Sequence, residues 1–184
     1  MTATNRPSLT PPVSARDHII GPPSAPVTLV EYGDYECPYC GQAHPVVKEI
    51  AREMGGELCF VFRHFPLTRV HPHAERAAEA AEAAGAQGRF WQMHDLLFEN
   101  QDALEDADLL SYARMLGLDL ARFALELDNG VYTARVRADF LSGVRSGVNG
   151  TPTFFINGWR HEGSFDLPTL LQAVVAAAAI RAPG

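Results

Sequence analysis

In one short stretch the chain moves from Val27-Thr28-Leu29-Val30, through Cys37-Pro38-Tyr39-Cys40 and a helical pattern, to a second apolar run at residues 58–62. The first run is β-branched and apolar on both faces, which predicts a central strand buried on both sides. After the cysteine pair, Val46, Val47, Ile50, Ala51 and Met54 recur at helical spacing, and Gly55-Gly56 ends that pattern. Strand, helix, strand in this order is a βαβ unit, so parallel pairing through a right-handed crossover is expected. This narrows the fold class to α/β.

The rest of the chain extends that plan. A short strand is expected at His18–Ile20, closed by Gly21-Pro22-Pro23. From His71 to about Ser146 the pattern is helical. An alanine-rich segment at 74–84 is followed by helices near 90–99, 106–116, 120–128 and 132–146. Strand character returns at Thr153-Phe154-Phe155-Ile156. Asn157-Gly158 signals a hairpin, with Trp159 opening the return strand. Residues 165–180 close the chain as a helix. Residues 1–16, polar and rich in proline, read as a mobile tail ahead of one domain at 17–184, which a helical insertion interrupts at about 71–146.

Composition then excludes several classes. A chain of 184 residues holds one domain with a full core. A net charge of −7 without any dense run of Lys or Arg argues against nucleic acid as a partner. No segment approaches the roughly 20 apolar residues that a membrane span requires. No apolar leader follows Met1, so a natural start there would place the protein in the cytoplasm. Three cysteines do not make a disulfide-stapled scaffold, and a close pair in a reducing compartment is more often catalytic or metal-binding than structural.

The setting of the pair points to redox chemistry. Pro38 suits the first helical position, where its missing N–H costs nothing. A three-residue offset puts both sulfurs on one face of the first turn, with a Cα separation near the ~5.5 Å that a disulfide prefers. Cys37 would lie among the unpaired N–H groups at the positive end of the helix dipole, which favour thiolate over thiol. Cys37 is therefore the expected nucleophile and Cys40 the resolving thiol, exchange running through a mixed disulfide. Two alternatives stand beside this. The cysteines are simply small buried residues, or Cys37, Cys40 and His44 supply three ligands to zinc, although a structural zinc site usually closes with four. No glycine-rich phosphate loop is present, and no metal, flavin or nucleotide cofactor is implied.

Glu31-Tyr-Gly-Asp-Tyr-Glu-Cys37-Pro-Tyr-Cys40, with Gly150-Thr151-Pro152-Thr153-Phe154 far downstream, resembles the DsbA-like branch of the thioredoxin superfamily. The likeness runs from about His18 to the C-terminus. It is shared with bacterial soluble members and with thioredoxin-like domains fused to sodium/proton antiporters. The resemblance implies a thioredoxin fold with a mixed central sheet and an inserted helical cap. It also implies thiol–disulfide oxidoreductase activity on protein or low-molecular-weight thiols and disulfides, a cis peptide at Thr151–Pro152, and a backbone at Thr151 that pairs with an extended substrate. Glu31 falls where the family often keeps an acidic group beneath the resolving cysteine. Burial there would favour its protonated form and let it relay a proton to or from Cys40. The Pro-Tyr dipeptide departs from the Pro-His of DsbA itself and is what glutaredoxins carry. A redox switch without turnover, and a glutathione-dependent isomerase or transferase, are the remaining functional alternatives.

Other residues read more plainly. Glu36 and Tyr39 flank the sulfurs and either tune the thiolate or face water. His44 is expected to be a solvated helix residue. Cys59, alternating with Phe60 and Phe62, is expected to be buried and inert. His64, His71 and His73, with no carboxylate nearby in sequence, are expected on a solvated turn. Phe90, Trp91, Met93, Leu97 and Phe98 form a candidate core for the helical block.

Overall fold

A computed structural model describes residues 7–180. The strands are β1 (His18–Ile20), β2 (Val27–Gly33), β3 (Leu58–His64), β4 (Thr153–Ile156) and β5 (Trp159–Arg160). The helices are α1 (Pro38–Met54), α2 (Ala74–Gly85), α3 (Phe90–Glu99), α4 (Asp106–Met115), α5 (Leu120–Asp128), α6 (Thr133–Arg145) and α7 (Leu167–Ile180). The five strands form one mixed sheet in the order β1-β3-β2-β4-β5, the arrangement of the thioredoxin fold.

The contacts divide the chain into two compact units. The first holds the sheet and comprises, among the described residues, 7–32, 42–63 and 141–180. Its β1–β3, β2–β4 and β4–β5 pairs are antiparallel, and β2 lies beside β3, reached through α1. Val27, Leu29 and Val30 are fully buried, as expected of a strand covered on both faces. The β4–β5 turn has both central residues in the left-handed region, Asn157 at φ 49° and Gly158 at φ 83°, which is why Asn-Gly suits it. At the β1 end, Gly21 has a φ of 87°, and a Cβ there would lie 2.1 Å from the Leu58 carbonyl oxygen. Only glycine fits.

The opening segment departs from the mobile tail expected of it. Residues 1–6 lie outside the described residues, but residues 7–12 are held against the sheet. The Leu9 N–H donates to the Gly158 carbonyl at 2.8 Å, the Arg160 N–H donates to the Pro7 carbonyl, and Ser8 bridges Trp159. The short strand β5 offers backbone groups that need partners, and burial of Leu9 supports the pairing. A second anchor is the buried Arg63 guanidinium. It donates to the Asp17 carboxylate at 2.7 Å, to the carbonyls of Pro11 and Pro12, and to the Tyr32 hydroxyl.

The second unit comprises residues 33–41 and 64–140. Its centre is α2, which packs against α3, α4 and α5. Ala74, Ala77, Ala78, Ala80, Ala81, Ala83 and Ala84 are all buried, and their small side chains let neighbouring helices approach closely. A helix covered this fully also buries Glu79 and Glu82, and both are partnered. Glu79 accepts from the Thr133 hydroxyl, and Glu82 accepts from the His64 imidazole at 2.9 Å. Phe90, Met93, Leu97 and Phe98 are buried from α3, in line with the expected helical core.

Candidate functional site

The cysteine pair sits where β2 gives way to α1. A turn at residues 34–37 closes through the Cys37 N–H and the Asp34 carbonyl at 3.1 Å, and Pro38 then opens the helix. The pair stands as two thiols rather than a disulfide. Cys40 is fully buried and Cys37 nearly so, while Pro38 is exposed and Tyr39 is 61% exposed. The backbone N–H of Asp34 points at the Cys40 sulfur at 3.5 Å. This contact ties the turn before α1 to the second sulfur of the pair.

Two carboxylates stand just before Cys37, and each is met by an imidazole. Asp34, fully buried at its side chain, accepts from the Glu36 N–H, the Leu67 N–H and the His71 Nδ1, each at 2.8 Å. Glu36 accepts from the His73 N–H at 2.7 Å and from its Nδ1 at 2.9 Å. That hydrogen bond holds the His73 imidazole above its ordinary range. Asp34-x-Glu36 thus faces His71-x-His73 in two rungs of equal sequence spacing. Between them Tyr35 is buried, its hydroxyl 3.0 Å from the His94 Nδ1 and its ring against Phe98.

These contacts correct two expectations. His71 and His73 lie on a turn as expected, but each has a carboxylate partner, because the chain brings back acids from far earlier in the sequence. His64 is buried rather than solvated, with its own carboxylate partner in Glu82. Glu36, for which a role at the thiolate and a solvated position were both open, is held by His73. A third correction is His44, which is buried at 7% exposure rather than solvated. The repeated two-residue spacing in Asp34-x-Glu36 and His71-x-His73 was the available signal, and only the fold shows that the two match.

On the Pro38 side of the turn lies an open cleft of about 520 Å³, lined by Glu36, Pro38, His73, Phe98, Gln101 and Asp102. It is polar and carries more acidic than basic groups.

The remaining candidate residues belong to the sheet unit. Glu31 is buried on β2 opposite Phe154 of β4, and the next pair in the register is Tyr32 with Thr153. Thr151 and Pro152, both half-buried, directly precede β4, and the bond between them is cis. The Thr153 hydroxyl donates to the Gly150 carbonyl at 2.7 Å, fixing the approach to that strand. A cavity of about 170 Å³ opens beside Pro152, toward Arg160, His161 and Phe165. Cys59 is buried on β3, and burial pushes its thiol up.

Comparison with known proteins agrees with this geometry. A family model described as Thioredoxin matches residues 14–175. A thioredoxin-like oxidoreductase from Silicibacter pomeroyi superposes with a TM-score of 0.79 at 28% identity, covering 92% of this chain and 95% of that one. BdbD from Bacillus subtilis superposes at 0.81 with 23% identity, covering 95% and 96%, a likeness of fold alone. In sequence, the chain is 54% identical over 162 residues to a protein of Salinispora arenicola named Na(+)/H(+) antiporter NhaA 1. That match covers 88% of this chain but 25% of the relative, so the chain spans about a quarter of the length of such relatives. Among the described residues no helix is long and apolar enough to cross a membrane.

Proposed function

From the premise that this chain belongs to the thioredoxin family, we propose that it is a thiol–disulfide oxidoreductase exchanging disulfides with protein or low-molecular-weight thiols through Cys37 and Cys40. The observation that carries the reading is the dithiol itself, one cysteine just before α1 and one in its first turn, with an amide N–H on the second sulfur. Cys37 stands at the helix N-terminus, where the dipole and unpaired N–H groups favour thiolate. Its sulfur attacks the partner disulfide, giving a mixed disulfide and releasing one partner thiolate. Cys40 then attacks the Cys37 sulfur, and the second partner thiolate leaves. The partner disulfide gains two electrons and the Cys37–Cys40 pair loses them, and the reaction runs in reverse when the partner is the more reducing dithiol. No bound cofactor enters this scheme.

Supporting roles follow from position and from the family resemblance. Pro38 starts the helix without an unsatisfied donor, and exposed Tyr39 is placed to touch a partner. By the family resemblance Glu31, buried within β2, serves as the proton relay for Cys40. The backbone of Thr151, held by Pro152, pairs with the extended chain of the substrate. In a reducing compartment exchange would run toward reduction of the partner.

Replacing each cysteine tests the mechanism. Cys37→Ala should abolish exchange, while Cys40→Ala should accumulate mixed disulfides on Cys37. Full turnover by Cys37→Ala would overturn the mechanism. Thiol trapping in graded glutathione buffers then gives the direction of flow. A potential near about −270 mV marks a reductant and one near about −120 mV an oxidant.

A second reading draws on the relatives named Na(+)/H(+) antiporter, in which the matched segment is a quarter of the whole. In a protein of that build the same dithiol would act as a redox switch on the attached part. Stoichiometric exchange without turnover on a model disulfide favours the switch, and repeated turnover favours the enzyme. If no Cys37–Cys40 disulfide forms at all, bound zinc is the next quantity to measure.

A further inference from the structure

Gln101 lies in the connection between α3 and α4, and its carboxamide straddles the dithiol turn. Its Nε2 donates to the Tyr35 carbonyl at 2.9 Å and to the Cys37 carbonyl at 2.8 Å. Both N–H bonds of one side-chain amide are thus spent on backbone carbonyls either side of Glu36. The Cys37 carbonyl also accepts from the Gly41 N–H at 3.1 Å, so the side-chain bond and the first helical bond meet on one oxygen. The amide oxygen lies over Gly41. A Cβ on Gly41 would lie 2.0 Å from Gln101 Oε1 and 2.7 Å from Cδ, distances no side chain could occupy without evicting the carboxamide. The glycine after Cys40 therefore has a reason beyond backbone freedom. It leaves the space that Gln101 fills.

We propose that Gln101 is a positioning residue for disulfide exchange, holding the backbone of Cys37 so that its sulfur is aligned for attack by Cys40, with Gly41 as the seat of its carboxamide. This rests on the reading of Cys37 and Cys40 as the exchanging pair. In the resolving step the Cys40 thiolate attacks the Cys37 sulfur of the mixed disulfide. The Cys37–Cys40 bond forms as the bond from Cys37 to the partner breaks, and the partner leaves as a thiolate that takes a proton from water. Ring closure between residues three apart tolerates only a narrow range of Cα separation and side-chain direction. Anchoring the carbonyls of Tyr35 and Cys37 from outside the helix removes rotation of the turn that α1 alone would allow.

The test uses the full chain reacted with dithiobis(nitrobenzoic acid), whose coloured thiolate is released once when Cys37 is loaded and again when Cys40 resolves. Gln101→Met keeps length and volume but removes both donors. Gly41→Ala keeps Gln101 but displaces its amide. Each should slow the second release by at least about tenfold, within the roughly hundredfold that misplacing reacting groups by an ångström costs. Each should leave the first release close to the unmodified rate. Gly41→Ala combined with Gln101→Ala should relieve the clash and recover thermal stability without recovering the second rate. A purely structural role predicts lower stability with an unchanged ratio of the two rates, and that result in either single variant overturns the proposal. Absence of a second release in the unmodified protein would instead remove the exchange reading itself.

Discussion

The backbone N–H of Asp34 donates to the sulfur of Cys40 at 3.5 Å, while the Asp34 carboxylate is fully buried and accepts from three further donors. One residue thus contacts the Cys40 sulfur through its main chain and holds the turn through its side chain. His71 Nδ1, 2.8 Å from the Asp34 carboxylate, is one of those donors and ties the turn to the segment ahead of α2.

Replacing Asp34 with Ala is expected to destabilise the protein by about 2–4 kcal/mol, since hydrogen bonds to a charged group contribute about 1.5–3 kcal/mol each and the stranded N–H groups can partly reach water. Chemical denaturation gives the number. Loss of the turn should also slow release from a mixed disulfide on Cys37. An Asp34→Ala variant with unchanged stability would mean that the three hydrogen bonds do not hold the turn.

The Glu36–His73 pair predicts a pH dependence of known sign. Glu36 raises His73 above its ordinary range in the folded protein, so the folded state binds that proton more tightly than the unfolded chain. The stabilisation is fully present below the unfolded imidazole value of about 6.5 and is lost as pH rises through the raised folded value. Because His73 is 43% exposed at its side chain, solvent screening keeps the effect small. Thermal unfolding of the wild type and of His73→Gln should differ most on the acid side of this window and converge above it. A gap that widens with rising pH would contradict the pairing.

Arg63 and Asp17 form a buried ion pair with side-chain exposures of 3% and 6%. Removing one partner of such a pair leaves an uncompensated buried charge, which costs about 3–5 kcal/mol. Arg63→Met should fall in that range by urea unfolding, and it should also free the segment carrying Pro11 and Pro12. Faster proteolysis or amide exchange of residues 7–12 would show the second effect.

Cys59 is expected to stay unmodified under conditions where Cys37 reacts. It is 1% exposed, and burial holds its thiol form. Mass spectrometry after brief alkylation of the native protein should find label on Cys37 and none on Cys59 until the chain is unfolded.

Much of the fold was legible in local pattern. The spacing that predicts helices at 90–99 and 120–128 is met by α3 and α5 over the same residues, and Asn157-Gly158 forms the tight turn that its dipeptide suggests. Helical ends elsewhere moved by a residue or two, since terminal turns depend on what covers them. Partner choice was far less legible. Nothing local marks Gln101, and His71 and His73 lie 37 residues from the acids they meet.

Local pattern sets the order of strands and helices and puts Cys37 and Cys40 at a strand-to-helix junction. Periodicity, propensity and the choice of proline or glycine are properties of neighbouring residues, and they act before any tertiary contact forms. Long-range packing is what buries His44, holds residues 7–12 on the sheet and Arg63, and brings Asp34, Glu36 and Gln101 to brace the dithiol turn. A buried polar group must find a partner wherever the chain delivers one. Which residue arrives is set by packing between segments far apart in sequence, and no local pattern encodes it.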